Sequence, residues 1–336
     1  MPPTPDVWEF RVGQRVVVRR RLPDGSATDV VGPLLAADHA TLTVAGRTGD
    51  VVIPRADVVV GKVVPPRPAR PAPPHRALAV ADLERVMALH WRAPVAEPLG
   101  AWLLRSAEGF THRANSVLAA GLPGLDLAAA VAAAQAWYGE RGRPALAGLP
   151  RPFPEAPDAG ELAAVRAGFE QAGWRMIPER GAFVLTAATA ELALAPADPP
   201  PGLVVRLDTE PDAAWLALYH YRGEPLPPIA TTLLLSAPEQ AFVSVLDGDR
   251  TVGVARGSLG GGWAGVTAVE VDAGYRRRGL ARLVLARLAR WAAERAARST
   301  FVQVGETNAV AVRLYEGAGF AHHHRYDYLT PLPLSP

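Results

Sequence analysis

The segment Val269-Glu270-Val271-Asp272-Ala273-Gly274-Tyr275-Arg276-Arg277-Arg278-Gly279-Leu280-Ala281 reads as a strand end, a tight basic turn and the start of a helix. Val266, Val269 and Val271 suit a strand. After Gly279, the residues Leu280, Val284, Leu288 and Trp291 recur at three- and four-residue spacing and share one helical face, with Arg282 opposite. The first-turn N–H groups of such a helix have no intrahelical partner, and the helix dipole adds positive potential beside them. A turn of this kind can hold an anion. Gly279 and Ala281 are small enough for the backbone to approach a phosphate, and Arg276, Arg277 and Arg278 add charge. Taken alone, these residues also fit an ordinary basic helix start.

Working outward, residues 241–246, 251–258 and 263–272 alternate as an antiparallel meander, turned at Gly248 and at Gly260-Gly261-Gly262. A strand over 203–206 and helices over 211–221 and 229–236 precede it. Downstream come a strand over 301–304, a helix over 308–317 closed by Gly319, and a last strand to about residue 328. The helix ends in Leu314-Tyr315-Glu316-Gly317-Ala318-Gly319-Phe320.

In order, spacing and strand-turn-helix context, Arg276 to Ala281, Asn308 and Tyr315 resemble the acetyl-coenzyme-A-binding core of the GCN5-related N-acetyltransferase (GNAT) superfamily. The resemblance implies that Val269, Glu270 and Val271 splay from the next strand and offer free backbone groups to pantetheine. It implies that Arg276, Arg277, Arg278, Gly279, Leu280 and Ala281 hold the pyrophosphate, and that Tyr315 gives a proton to the departing thiolate. A phenol with a pKa near 10 stays protonated at neutral pH and suits that task. Asn308 either bonds the cofactor or caps its own helix, and the sequence leaves both open. The mid-strand glutamate used as a base by histone-type members falls here near Gly265 and is missing; Glu270 is the candidate in its place. His220, Tyr221 and Arg222 lie between the two early helices, which line the acceptor site in this family, and a guanidinium there can hold a carboxylate.

Trp137-Tyr138-Gly139-Glu140-Arg141 echoes Trp291-Ala292-Ala293-Glu294-Arg295, and Phe169-Glu170-Gln171-Ala172-Gly173-Trp174 echoes Tyr315 to Phe320. The middle segment therefore reads as a second copy of one fold. It is chemically worn: Phe169 lacks the hydroxyl of Tyr315, and Leu122-Pro123-Gly124-Leu125-Asp126-Leu127 offers an aspartate where the last copy has arginines.

Short β-rich runs before residue 64, separated by turn residues, predict a small barrel of SH3-like type. The expected class is α+β: barrel 1–64, proline-rich linker 65–76, worn GNAT-like domain 77–197 and catalytic GNAT domain 202–330. The resemblance extends to an actinobacterial group with this layout, some of whose members are described as N-acetylglutamate synthases and others as histone-acetyltransferase-like.

Roughly half of the 336 residues are hydrophobic and a fifth are charged, a globular balance. A net charge of +2 demands no polyanionic partner, so nucleic acid is not expected. With no cysteine, thiol catalysis and cysteine-ligated zinc are excluded. His322-His323-His324 is read as a non-metal tract, because neighbours on a strand point to opposite faces. No basic stretch leads into an apolar run at the N-terminus, and no long apolar run follows, so a cytoplasmic protein without membrane contact is expected. The implied activity is acetyl-CoA-dependent acetylation of a small amine, such as an amino acid like glutamate. The rivals are a protein-lysine acetyltransferase and an acetyl-CoA-sensing or nucleic-acid-binding module. The oligomeric state is not legible.

Overall fold

Alternation of buried valines and leucines with exposed residues sets the strands at the N-terminal end, and Val16, Val18, Leu34, Leu42, Val44 and Ile53 form their core. The computed structural model describes residues 10–46, 49–64, 72–221 and 223–331. Five strands, β1 (Arg15–Arg21), β2 (Ala27–Ala37), β3 (Thr41–Gly46), β4 (Gly49–Pro54) and β5 (Val58–Val63), pair antiparallel in the order β4-β3-β2-β1-β5. They belong to the first of two compact units, Met1–Pro71, while Ala72–Pro336 is the second. The proline-rich run 65–71 lies outside the described residues, and helix α1 (Pro74–Ala77) already begins within the expected linker.

The second unit opens with α2 (Val80–Ala88), β6 (Val95–Leu99), β7 (Trp102–Ser106), β8 (Val117–Leu118), α3 (Leu127–Glu140), β9 (Ala147–Arg151), α4 (Ala159–Gln171), β10 (Trp174–Met176), β11 (Ala182–Ala188) and α5 (Thr189–Ala193). It continues with β12 (Leu203–Asp208), α6 (Ala213–Leu218), α7 (Ile229–Leu234), β13 (Glu239–Asp247), β14 (Arg250–Gly260) and β15 (Trp263–Val271). The last elements are α8 (Leu280–Ala293), β16 (Ser299–Gly305), α9 (Ala309–Glu316) and β17 (Ala321–Pro331). The meander expected at 241–272 is present, and α8 buries Leu280, Val284, Leu288 and Trp291 while Arg282 is exposed.

One sheet runs through this unit in the order β12-β13-β14-β15-β16-β11-β17-β9-β8-β7-β6, with β10 also paired to β17. The middle and last segments exchange strands. Strand β11 comes before residue 200 in the chain, yet it lies antiparallel between β16 and β17. Strand β17, the last among the described residues, pairs over Arg325–Leu329 with β9 and over Leu329–Pro331 with β10. Residues 77–197 and 202–330 consequently share one compact unit, and the proline-rich stretch at 196–201 is a connection inside it.

Candidate functional site

A cleft of about 540 Å³ opens where β15 and β16 part. The two strands pair in parallel only from Trp263↔Ser299 to Val266↔Val302. Beyond that point β15 carries a bulge: Arg256 faces Thr267 and Val254 faces Glu270, so Ala268 and Val269 share the single opposite position Ala255. Ala268 there has φ of +54°. A bulge bends and twists its strand, and this one turns Val269, Glu270 and Val271 out of the parallel pairing. Val269 and Glu270 line the cleft, while Val269 and Val271 pack on the α8 side of the sheet.

The basic turn forms as the sequence predicts. Gly279 caps α8 in the left-handed region (φ +82°), the one conformation in this turn that favours glycine most strongly. The first intrahelical bond at this end is Leu283 N to Gly279 O at 3.0 Å, so the amides of Leu280, Ala281 and Arg282 have no intrahelical acceptor. The three arginines differ. Arg276 is folded back on the strand, with Nε donating to Val271 O at 3.1 Å and Nη2 to Glu270 Oε1 at 3.3 Å. Arg278 covers the Tyr275 ring at 4.9 Å, and Arg277 is exposed with φ of +63°. Val271 O is therefore engaged by Arg276, and that carbonyl is not free as the resemblance implied.

Tyr315 stands on the cleft wall, 7% exposed, and its helix ends in a Schellman turn: Phe320 N bonds Tyr315 O and Gly319 N bonds Glu316 O, both at 3.0 Å. Burial, and then the neighbouring Tyr219, push the Tyr315 phenol well above its ordinary value. Tyr219 is pushed up to about 12, first by burial and then by Tyr221, with the charges of Arg113, Glu270 and Arg256 also felt. Asn308 lines the cleft and caps α9, its Oδ1 accepting from Ala311 N at 3.1 Å. His220 and Tyr221 also line the cleft; His220 Nδ1 donates to Leu218 O, and the Tyr221 ring meets Phe110 edge-on at 5.1 Å. Arg222 lies outside the described residues.

Gly265 shows why no glutamate stands mid-strand. A Cβ built there would come within 2.6 Å of Phe301 and 3.0 Å of His90 Nδ1. His90 is 2% exposed, bonded to Ser258 Oγ at 2.9 Å and Gly260 O at 3.2 Å, and burial lowers its pKa to about 4. It fills the space and stays neutral. The histidine tract is engaged elsewhere: His322 with Glu316, His323 with Leu78 O and His324, and buried His324 with Glu84, each near 3.0 Å.

Sequence reasoning missed the opposite wall. Trp91, Thr111, His112, Arg113, Glu179 and Arg180 all come from the middle segment. They reach the cleft because strand exchange brings β11 beside β16, and no periodicity within the last segment signals them. The turn before α3 in the middle segment is engaged by its own side chains. Asp126 caps α3 with its own carboxylate, accepting from Ala129 N at 2.9 Å, and Leu122 N donates to Glu161 at 2.7 Å.

Comparison with known proteins places this geometry. Residues 79–329 match a family described as "Probable histone acetyltransferase Rv0428c C-terminal", and residues 10–62 match "Rv0428c N-terminal Sm-like domain". The N-terminal unit is thus a small Sm-like β domain, and its five short antiparallel strands do not single out the SH3-like type expected from the sequence. The chain is 34% identical over 333 residues, 95% of each chain, to the probable histone acetyltransferase Rv0428c of Mycobacterium tuberculosis. Among solved structures, a GCN5-related N-acetyltransferase from Kribbella flavida aligns over 76% of this chain and 97% of its own, with TM-score 0.55 and 20% identity. A tandem GNAT protein from the clavulanic acid biosynthesis pathway aligns over 77% and 89%, with TM-score 0.55 and 14% identity. With its Sm-like N-terminal unit and its match over residues 79–329, the chain belongs to the Rv0428c-type family of probable acetyltransferases, and its sheet has the fold of GCN5-related N-acetyltransferases.

Proposed function

We propose that the cleft between β15 and β16 binds acetyl-CoA and transfers its acetyl group to the amine of a small substrate, of which an amino acid such as glutamate is the leading candidate. The observation that carries this reading is the position of Tyr315 on the wall of a cleft opened by the Ala268 bulge. The residues fit the donor. Free amides at Leu280 to Arg282, with exposed Arg277 and Arg278 beside them, suit a pyrophosphate, and the parted edge of β15 suits an extended pantetheine arm. Bound acetyl-CoA supplies an activated thioester. Tyr315, held protonated by burial, is the group that gives a proton to the leaving thiolate. Glu270, on the same cleft, is the candidate to receive the amine's proton.

The middle segment is, on this reading, a second and worn GNAT copy. Its Phe169–Trp174 ring pair, centroids 5.0 Å apart, mirrors Tyr315–Phe320 at 5.6 Å, and its Asp126-capped turn suits no phosphate. One acetyl-CoA per chain is expected by calorimetry. Protein-lysine acetylation is the second reading, favoured by the name of the 34%-identical relative. A thiol-release assay across amino acids, other small amines and lysine peptides separates the two. Turnover confined to peptides overturns the small-amine reading, and no turnover with any amine overturns both.

A further inference from the structure

Arg113 is the cleft's least explained charge. It sits on a short turn, His112–Ala114, that the chain holds in place from several sides. Thr111 Oγ1 takes the Trp91 indole N–H at 3.1 Å, and Asn115 Oδ1 takes the amides of Ala107 at 2.8 Å and Gly109 at 3.0 Å. Asn115 Nδ2 donates in turn to Thr111 O at 2.9 Å. The guanidinium lies 5.4 Å from the Trp91 ring centre, and its Nη1 donates to the side-chain Oε1 of Gln303 on β16.

Among the described residues Gln303 is the sole hydrogen-bond acceptor for Arg113, its buried Nε has none, and no carboxylate pairs with it. A guanidinium carries five donors in a planar fork, and most of this fork is unused. The surroundings add positive charge. Exposed Arg180 lines the same cleft, and fully buried Arg256, which donates to Leu234 O, His90 O and Thr267 Oγ1, lies on the Trp91 ring at 5.4 Å. The acidic groups lining the cleft are Glu179 and Glu270, and Glu270 is already bonded by Arg276.

A cationic site with a preset planar donor, walled by Trp91, Tyr219, Tyr221, Tyr326 and Tyr328, suits a small anion attached to an apolar or aliphatic body. Tyr219 links the two ends of the site electrostatically, since it feels Arg113 and Glu270 and is itself felt by Tyr315. We propose that Arg113, braced by Gln303 and Trp91, binds a carboxylate of the acceptor, so that the middle segment supplies the specificity of a reaction whose donor site lies in the last segment. This deepens the acetyl-transfer reading above and rests on it for the identity of the ligand as an acceptor. Held by its carboxylate, the acceptor presents its amine as a free end toward the thioester side of the cleft.

The test measures binding apart from turnover. Full-length chain saturated with CoA is titrated by calorimetry with L-glutamate, L-leucine and L-phenylalanine, each beside its fully amidated form. At least one amino acid should bind, and its amide should bind about 10- to 100-fold more weakly. Arg113→Gln should abolish that difference while acetyl-CoA affinity stays within about twofold, and Arg113→Lys should recover part of it. Circular dichroism confirms the fold of each variant. Binding with this pattern but without acetyl transfer sinks the acetylation reading and leaves the carboxylate site standing. Equal binding of acids and amides, no binding of any of them, or loss of acetyl-CoA affinity in Arg113→Gln overturns the site itself.

Discussion

The ring of Phe320 stands edge-on to that of Tyr315, centroids 5.6 Å apart, and both belong to the Schellman turn that ends α9. The turn fixes the backbone through two hydrogen bonds, and the ring contact fixes the side chain. Tyr315 therefore reaches the cleft on a helix end with little freedom. Its hydroxyl makes no hydrogen bond to another described residue, which leaves it available to a reacting group.

Tyr315→Phe keeps the ring contact and deletes the proton donor. Turnover should fall by about 10²–10⁴ while acetyl-CoA affinity is preserved, as steady-state rates and calorimetry would show. Turnover at the wild-type rate would make Tyr315 a packing residue.

A fragment beginning near residue 200 lacks β11, the strand between β16 and β17. It should fail to fold cooperatively, whereas a fragment beginning at residue 72 should melt as the intact second unit does. Thermal melts followed by circular dichroism, with limited proteolysis, decide this; a sharp transition in the shorter fragment would contradict the interleaved sheet.

Gly265→Ala places a methyl group against Phe301 and His90 in a packed region. Overpacking of this kind costs about 1–3 kcal/mol, so the melting temperature should fall by several degrees, and Gly265→Glu should not yield folded protein. A glutamate tolerated there would show that the strand can open room for a base.

Stability should depend on pH through His90 and His323, whose folded pKa values lie at about 4 because burial disfavours the charged ring. The unfolded chain takes up these protons near pH 6.5 and the folded chain does not. The stability they contribute is thus complete above about pH 6.5 and is lost as pH falls toward 4. For fully buried His90 the loss is about 3 kcal/mol. Melts from pH 7.5 to 4.5 should show this decline, and His90→Gln should flatten it; an identical slope in the variant would contradict the assignment.

What the sequence disclosed was local. The basic turn ahead of α8, the face of α8 and the Gly319 helix end follow from neighbours a few residues apart, where backbone chemistry leaves little choice. The Asn308 cap was one of two open readings, and geometry selects the cap without removing Asn308 from the cleft wall. The Ala268 bulge was invisible, since nothing in Thr267-Ala268-Val269 marks a residue with positive φ. Arg113 was invisible for a different reason: its contact with Gln303 spans 190 positions and exists only because strands are exchanged. The obstruction at Gly265 was half legible, as an absent glutamate whose cause, the His90 ring, lies in another segment.

The exchange of β11 and β17 also bears on synthesis. Strand β17 is synthesised long after β9, β10 and β11, and it must lie between β9 on one side and β11 and β10 on the other. Until it is free of the ribosome, β9, β10 and β11 each expose an unpaired edge, and such edges recruit other chains. The N-terminal unit can fold as it emerges, because its five strands pair only with one another. The second unit has to wait for this strand, so a chain cut before residue 321 would leave open edges at the centre of its sheet.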